Sequence, residues 1–201
     1  APVPLCPTTA AGLCFRAGQH TGFYGLTLTA APYGRGHKRF IFVPFWRLGQ
    51  DQNRHNMTDI GSKKDQVLKA LALIITAQEE AIIAANAKDL AAYKGGDESM
   101  FDRLKTGPEK VRGMAEACLQ TAALPDPVGR ELYRFDHPNG MRVVNQTVPF
   151  GKILIIYESR PDVTIEAAAT AFKAGNRIWL KGGKEALNTN LLLAEFWQEA
   201  L

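Results

Sequence analysis

A chain of 201 residues with 46% hydrophobic and 22% charged residues has room for one ordinary globular domain, or a domain with an appendage. The net charge of +4 invites a polyanion partner, but residues 1–56 hold six Lys/Arg against one acid, Asp51, while the remainder holds 18 basic and 19 acidic residues. The later part is nearly neutral, which removes the charge argument for nucleic acid, and no apolar run approaches the ~20 residues needed to cross a bilayer.

Residues 1–56 hold five of the eleven prolines, seven of the eighteen glycines and no serine, with scattered aromatics and no sustained period. We expect a non-homologous extension, disordered or artefactual, ending before a plausible translation start at Met57. Cys6, Cys14, His20 and His37 match no zinc-finger spacing, so no metal is expected. Three cysteines without a C-x-x-C pair suit a reduced, cytoplasmic chain, and Cys118 reads as a small core hydrophobe.

From Ser62 onward a helix is predicted, because Ser62-Lys63-Lys64-Asp65 reads as a capping box and Val67, Leu71, Ile74 and Ile75 form an apolar stripe. A second helical stretch follows from Gln78 to Leu90 and is broken by Gly95-Gly96-Asp97. Pro108 opens another through Val111, Met114, Ala115 and Cys118, and a proline-punctuated connection spans Leu124 to Gly129. Asn139-Gly140 lies between two β-rich runs, Leu132 to Phe135 and Met141 to Val144, and predicts a tight hairpin in which both central residues take positive φ.

The most informative stretch runs from Ile153 to Asn190. Two short apolar runs, Ile153 to Tyr157 and Arg177 to Leu180, flank a helical pattern through Val163, Ala167, Ala171 and Ala174. Pro161 suits the first turn, and Gly175 suits the left-handed position after the last. This is a β-α-β unit, which belongs to a parallel sheet covered by helices. Ligands of such open sheets lie outside the carboxyl ends of the strands, so the turn Glu158-Ser159-Arg160 and the run Lys181-Gly182-Gly183-Lys184-Glu185 are the candidate site.

Those two turns, with Ala85-Asn86-Ala87-Lys88-Asp89-Leu90, Asp102-Arg103-Leu104, Leu124-Pro125-Asp126-Pro127-Val128-Gly129 and Pro138-Asn139-Gly140-Met141, resemble the gamma-glutamyl phosphate reductase family of the aldehyde dehydrogenase superfamily, in the family's order. The resemblance covers Met57 to Leu201 and corresponds to the N-terminal part of a member, so the chain is expected to be a fragment. It implies an α/β, aldehyde dehydrogenase-like fold. Residues 57–201 would supply part of a Rossmann-type parallel sheet in the cofactor-binding domain, with N-terminal helices and an oligomerisation hairpin.

The resemblance further implies NADPH-dependent reduction of γ-glutamyl phosphate to glutamate 5-semialdehyde in proline biosynthesis. It also implies a cytoplasmic homo-oligomer when full length, with glutamate 5-kinase as an associate. None of the three cysteines matches the family's nucleophile motif, so no catalytic residue is expected in this chain and it should not turn over alone.

Ser159 and Arg160 are the substrate-binding candidates, because a guanidinium binds phosphate or carboxylate through two parallel hydrogen bonds. The bland alternative for Arg160 is a surface salt bridge to Glu158 or Asp162. Lys181, Gly182, Gly183, Lys184 and Glu185 are the cofactor-binding candidates: the resemblance implies Lys181 and Glu185 for the adenosine ribose and Lys184 for the 2′-phosphate of NADP(H), and the glycines permit close backbone approach. Asn188 and Asn190 read as caps of the following helix, and the Ala85 to Asp89 stretch as a structural turn or cap. Two rivals stay open: a general aldehyde dehydrogenase fragment, and a non-catalytic binding or scaffold descendant.

Overall fold

In a computed structural model of the protein, the described residues are 41–43 and 57–201. Helix α1 runs Met57–Ala77 and α2 runs Glu79–Ala92. The predicted start at Ser62 is therefore corrected, since Ser62 lies inside α1. Gly61 is buried so closely against Asp126 that a Cβ would lie 3.1 Å from its Oδ2. Tertiary packing thus holds the turn around Ser62, and a mid-helix serine is only a mild cost. Val67, Leu71 and Ile75 of the expected stripe are buried.

Helix α3, Glu98–Leu104, is an element the apolar pattern did not pick out. It is started by Asp97, whose side chain accepts from the backbone N–H of Ser99 (2.9 Å) and of Met100 (3.3 Å). Helix α4 runs Pro108–Ala123 with its proline in the first turn, as expected.

Strand β1 is Ile41–Val43; β2, Glu131–Asp136, and β3, Arg142–Gln146, form an antiparallel hairpin. The hairpin loop is five residues long, His137 to Met141, and corrects the tight two-residue turn predicted on Asn139-Gly140. The turn sits one residue earlier, closed by Gly140 N–H to His137 O (2.9 Å), because Pro138 has the fixed φ that suits the position after a turn's first residue.

Strand β4, Lys152–Ile156, helix α5, Pro161–Lys173, and strand β5, Arg177–Lys181, form the predicted β-α-β unit. β4 and β5 are parallel, in register from Lys152↔Arg177 to Ile156↔Lys181. Gly175 has φ 74°, and its N–H and that of Asn176 return to Phe172 O and Ala171 O, both at 2.9 Å, closing α5 as a glycine-ended helix should be closed. A single 3-10 turn, Lys184–Ala186, leads into α6, Leu187–Ala200. β1 pairs antiparallel with the other edge of β5, Ile41 opposite Leu180 and Val43 opposite Ile178. The expectation for the rest of residues 1–56 lies outside the described residues.

One face of β4 and β5 carries the core. Ile178 and Leu180 share one buried cluster with Ile165, Ala168 and Phe172 of α5, Leu193 and Trp197 of α6, and residues of α1 and α4. Trp197 is wholly buried and set edge-on to Phe172, ring centroids 5.5 Å apart. Two buried lysines fasten the helices. Lys64 pairs with Asp126 and donates to Lys173 O at 3.0 Å, while Lys173 pairs with Asp65 and donates to Ala122 O at 3.0 Å. Burying ammonium groups is tolerable here because each has both a carboxylate and a carbonyl partner. The opposite face of the sheet is open: Leu154 is 55% exposed and Ile156 66%, with Trp179 beside them.

Among the described residues no helix is long and apolar enough to cross a membrane, and no cluster of metal-ligating side chains occurs.

Candidate functional site

The two candidate turns meet at the carboxyl ends of β4 and β5. The connection is direct, because Ser159 Oγ donates to Glu185 Oε2 at 3.0 Å. Ser159 is buried, and Glu185 is partly buried with one carboxylate oxygen committed to that bond. Gly183 lies over the pair, where a Cβ would stand 2.5 Å from Ser159 Oγ and 2.8 Å from Glu185 Oε2.

Beneath Gly182 runs a second polar chain. Thr164 Oγ1 donates to Asn190 Oδ1 at 2.8 Å, so its only proton is used and the Tyr157 hydroxyl, 2.6 Å away, must be the donor to Thr164. Thr164 and Asn190 are buried. Burial pushes the Tyr157 hydroxyl above its usual range, with the Thr164 hydrogen bond acting in the opposite sense. A Cβ on Gly182 would come within 2.5 Å of Asn190 Nδ2 and 3.0 Å of the Tyr157 hydroxyl. Both glycines are thus required by the protein's own packing, whatever a ligand asks of them.

Asn190 is corrected as a cap, since its amide is spent inside this network. Asn188 does sit at the start of α6, but the capping group comes from another helix. Asp89 of α2 accepts from Asn188 N–H (3.0 Å), Asn188 Nδ2 (2.8 Å), Thr189 N–H (2.8 Å) and Thr189 Oγ1 (2.7 Å). A carboxylate at a helix N-terminus satisfies orphan donors and faces the positive end of the dipole. Asn86, one turn earlier on α2, gives Nδ2 to Leu104 O (2.9 Å) and accepts from Thr106 N–H (2.8 Å). The Ala85 to Asp89 stretch is therefore a capping device, as expected, although it lies within a helix. A signal for it existed in the sequence: Ile82, Asn86 and Asp89 stand at i, i+4 and i+7, on one helix face.

Arg160, the residue before α5, is exposed, and among the described residues no side-chain hydrogen bond or ion pair engages its guanidinium. The salt-bridge alternative is not realised, because Glu158 pairs with Arg103 at 3.3 Å. Lys181 is half-buried at the end of β5 and Lys184 is exposed on the following turn. Lys184 and Glu185 also line a cavity of about 640 Å³ whose far wall is Asp89, Tyr93, Lys94 and Met100. That size suits a small-molecule site. Two amines, a held carboxylate and an adjoining cavity are groups that fit a phosphorylated dinucleotide.

Cys118 is fully buried on α4, remote from both turns in the chain, and burial pushes its thiol to about 12. It holds no thiolate at neutral pH and is no nucleophile.

No family model matches the chain. Among curated proteins it is 45% identical over 157 residues to gamma-glutamyl phosphate reductase of Solidesulfovibrio magneticus, which covers 77% of this chain and 38% of the relative. It is 46% identical over 140 residues to the Nitratidesulfovibrio vulgaris protein of the same name, covering 69% and 33%. The crystal structure of gamma-glutamyl phosphate reductase from Thermotoga maritima superposes with a TM-score of 0.67 at 37% identity, over 70% of this chain and 34% of that one. The Saccharomyces cerevisiae structure gives 0.65 at 32% identity, over 70% and 36%. The chain thus spans little more than a third of the length of the relatives it matches. Its fold is aldehyde dehydrogenase-like α/β, and by sequence and structure together the matched stretch belongs to the gamma-glutamyl phosphate reductase family.

Proposed function

We propose that this chain supplies part of the cofactor pocket and one wall of the substrate site of an NADPH-dependent reductase that converts γ-glutamyl phosphate to glutamate 5-semialdehyde and phosphate in proline biosynthesis. The observation that carries the reading is the Ser159 to Glu185 hydrogen bond, which joins the turn after β4 to the turn after β5 at the ligand edge of a parallel sheet. The bond holds one carboxylate oxygen of Glu185 and leaves the other to accept from ribose hydroxyls. Lys181 would stand beside the same ribose, and exposed Lys184 would meet the 2′-phosphate that distinguishes NADPH from NADH. The bound nicotinamide would supply the hydride.

Arg160, whose guanidinium no described residue engages, would hold the phosphate or the α-carboxylate of the acyl phosphate. Ser159 is buried under Gly183, so its role in substrate binding would be exercised through the shape of the turn. Burial holds Cys118 as a thiol, so it is no candidate to displace phosphate, and in this reading the chain alone does not turn over. The same reading carries a cytoplasmic, homo-oligomeric complete enzyme with glutamate 5-kinase as an associate.

The test is a chimera in which residues 57–201 replace the matched third of the Nitratidesulfovibrio vulgaris enzyme. It should reduce NADP when given glutamate 5-semialdehyde and phosphate, and prefer NADP to NAD. Arg160→Lys should lower kcat/KM by the equivalent of about 1.5–3 kcal/mol without changing NADPH affinity. A folded chimera without phosphate-dependent activity, or one indifferent to Arg160→Lys, would count against the reading.

A further inference from the structure

We propose that the loop joining α2 to α3, Tyr93 to Asp97, is the outer wall of the nucleotide site. Lys94 on it is a specificity-determining residue, which with Lys184 selects a ribose carrying a phosphate monoester. This rests on the cofactor half of the reading above and not on its substrate half.

Three observations carry it. First, the cavity of about 640 Å³ is bounded by two separate segments, Lys184 and Glu185 of the turn after β5 and Tyr93, Lys94 and Gly95 of this loop. Both lysines are exposed, and no described residue engages either ammonium group. A pair of unanswered cations on one cavity of ligand size is the arrangement that takes a phosphate.

Second, the acids that line the cavity are already employed. Both oxygens of Asp89 are spent on Asn188 and Thr189, so the N–H groups of those two residues are not left for a ligand. Glu185 Oε2 accepts from Ser159, which leaves Oε1 without a partner among the described residues. What remains is one acceptor for hydroxyls beside two donors for an anion, the complement of a sugar phosphate. A ribose with free hydroxyls would use only the first.

Third, the loop is held in place. The Tyr93 hydroxyl donates to Asp97 O at 3.0 Å, closing the loop, and Asp97 in turn caps α3. The Tyr93 ring packs on Phe101, centroids 5.7 Å apart, and folds over Gly95, where any Cβ would collide with it. Lys94 is therefore carried on a segment tied to both helices, so less order is lost when a ligand is gripped. A lysine just past the end of α2 also complements the helix dipole, but that role would not tell one nucleotide from another.

The test titrates the full chain calorimetrically with adenosine 2′-monophosphate and adenosine 5′-monophosphate. The parent should bind the 2′ isomer about tenfold more tightly than the 5′ isomer, the effect of one added hydrogen bond to a charged group. Lys94→Met should weaken the 2′ isomer about tenfold and leave the 5′ isomer unchanged, whereas Lys94→Arg should keep the preference. An exposed loop lysine can be replaced without threatening the fold. Equal affinities in the parent, equal weakening of both isomers by Lys94→Met, or a preference that survives it would overturn the proposal.

A second measurement needs no variant. With the 2′ isomer bound, Lys94 and Lys184 should be protected together from an amine-acylating reagent, read by mass spectrometry against exposed Lys69 on α1. Protection of Lys184 alone would put Lys94 outside the site and sink the idea. Both readouts are of binding. A chain that passes them while the chimera lacks phosphate-dependent activity keeps this inference and loses the substrate reading. A chimera that prefers NADP with or without Lys94→Met loses this inference alone.

Discussion

The two faces of the β4–β5 sheet differ in almost every physical respect. Leu180 is fully buried on the side of α5, while Leu154, on the neighbouring strand, lies more than half exposed. The hairpin of β2 and β3 resembles the open face, since every residue of both strands is exposed, Tyr133 and Phe135 included. Phe150, between the hairpin and β4, is 92% exposed. The helical side is a finished piece of protein, with buried Lys64 and Lys173 paired and the starts of α3 and α6 capped by Asp97 and Asp89. The other side carries the alternation and β-rich composition of strands that pack against something. An isolated two-stranded ribbon is marginal in water, so the hairpin's apolar residues are informative about neighbours rather than about the stability of this piece.

Substitutions at matched positions on the two sides should separate most sharply. Leu180→Ala is expected to cost about 2–5 kcal/mol in urea unfolding, the range for truncating a buried leucine, whereas Leu154→Ala should stay within about 0.5 kcal/mol. Comparable losses at both would show that the open face is covered. Next in size is Asp89→Ala, which strips four donors of their acceptor. A loss on the order of 3 kcal/mol is expected from hydrogen bonds to a buried charged group, read by the same unfolding curves. An effect below 1 kcal/mol would demote α2 from anchor to bystander.

Smaller still, Gly182→Ala should cost about 1–3 kcal/mol, because its methyl must displace Asn190 or Tyr157, both tied into one network. If it proved neutral, the network would have to be loose. A pH scan supplies the least of these effects and its sign is fixed. The folded-state pKa of Cys118 is raised, from a usual value of 9.0 to about 12, by burial. Its contribution is therefore complete below pH 9 and lost as pH climbs toward 12. Between those limits the stability of the parent chain should fall more steeply than that of Cys118→Ala. Parallel slopes would mean that the thiol is not shielded as the fold implies.

Much of this fold was legible in the residues. Pro161 and Gly175 bracketed α5 because backbone constraints at helix ends are local, and the alternating and continuous apolar runs marked β4 and β5. The start of α1 was not legible, because the packing of Gly61 on Asp126 joins positions 65 apart. Helix α3 escaped notice because seven residues with a single buried side chain, Leu104, leave no periodicity to count. At the site, both turns were identifiable from their residue types. The Ser159–Glu185 bond, the lack of a partner for Arg160 among the described residues and the conversion of Asn190 from cap to network member depend on tertiary placement, which no local pattern encodes.

The Asp89 cap also has a consequence in time. Its acceptor is made early and its donors, at Asn188 and Thr189, come 99 and 100 residues later. At roughly 5–20 residues per second, a ribosome needs on the order of 5–20 s to bridge that gap. Helices form in microseconds, so for that whole interval α2 carries an unanswered carboxylate on the face that will later be buried. The nascent N-terminal helices are then a client awaiting its lock. A stall placed before Leu187 should hold them protease-sensitive, and one placed far enough beyond α6 for it to clear the exit tunnel should protect them in a single step.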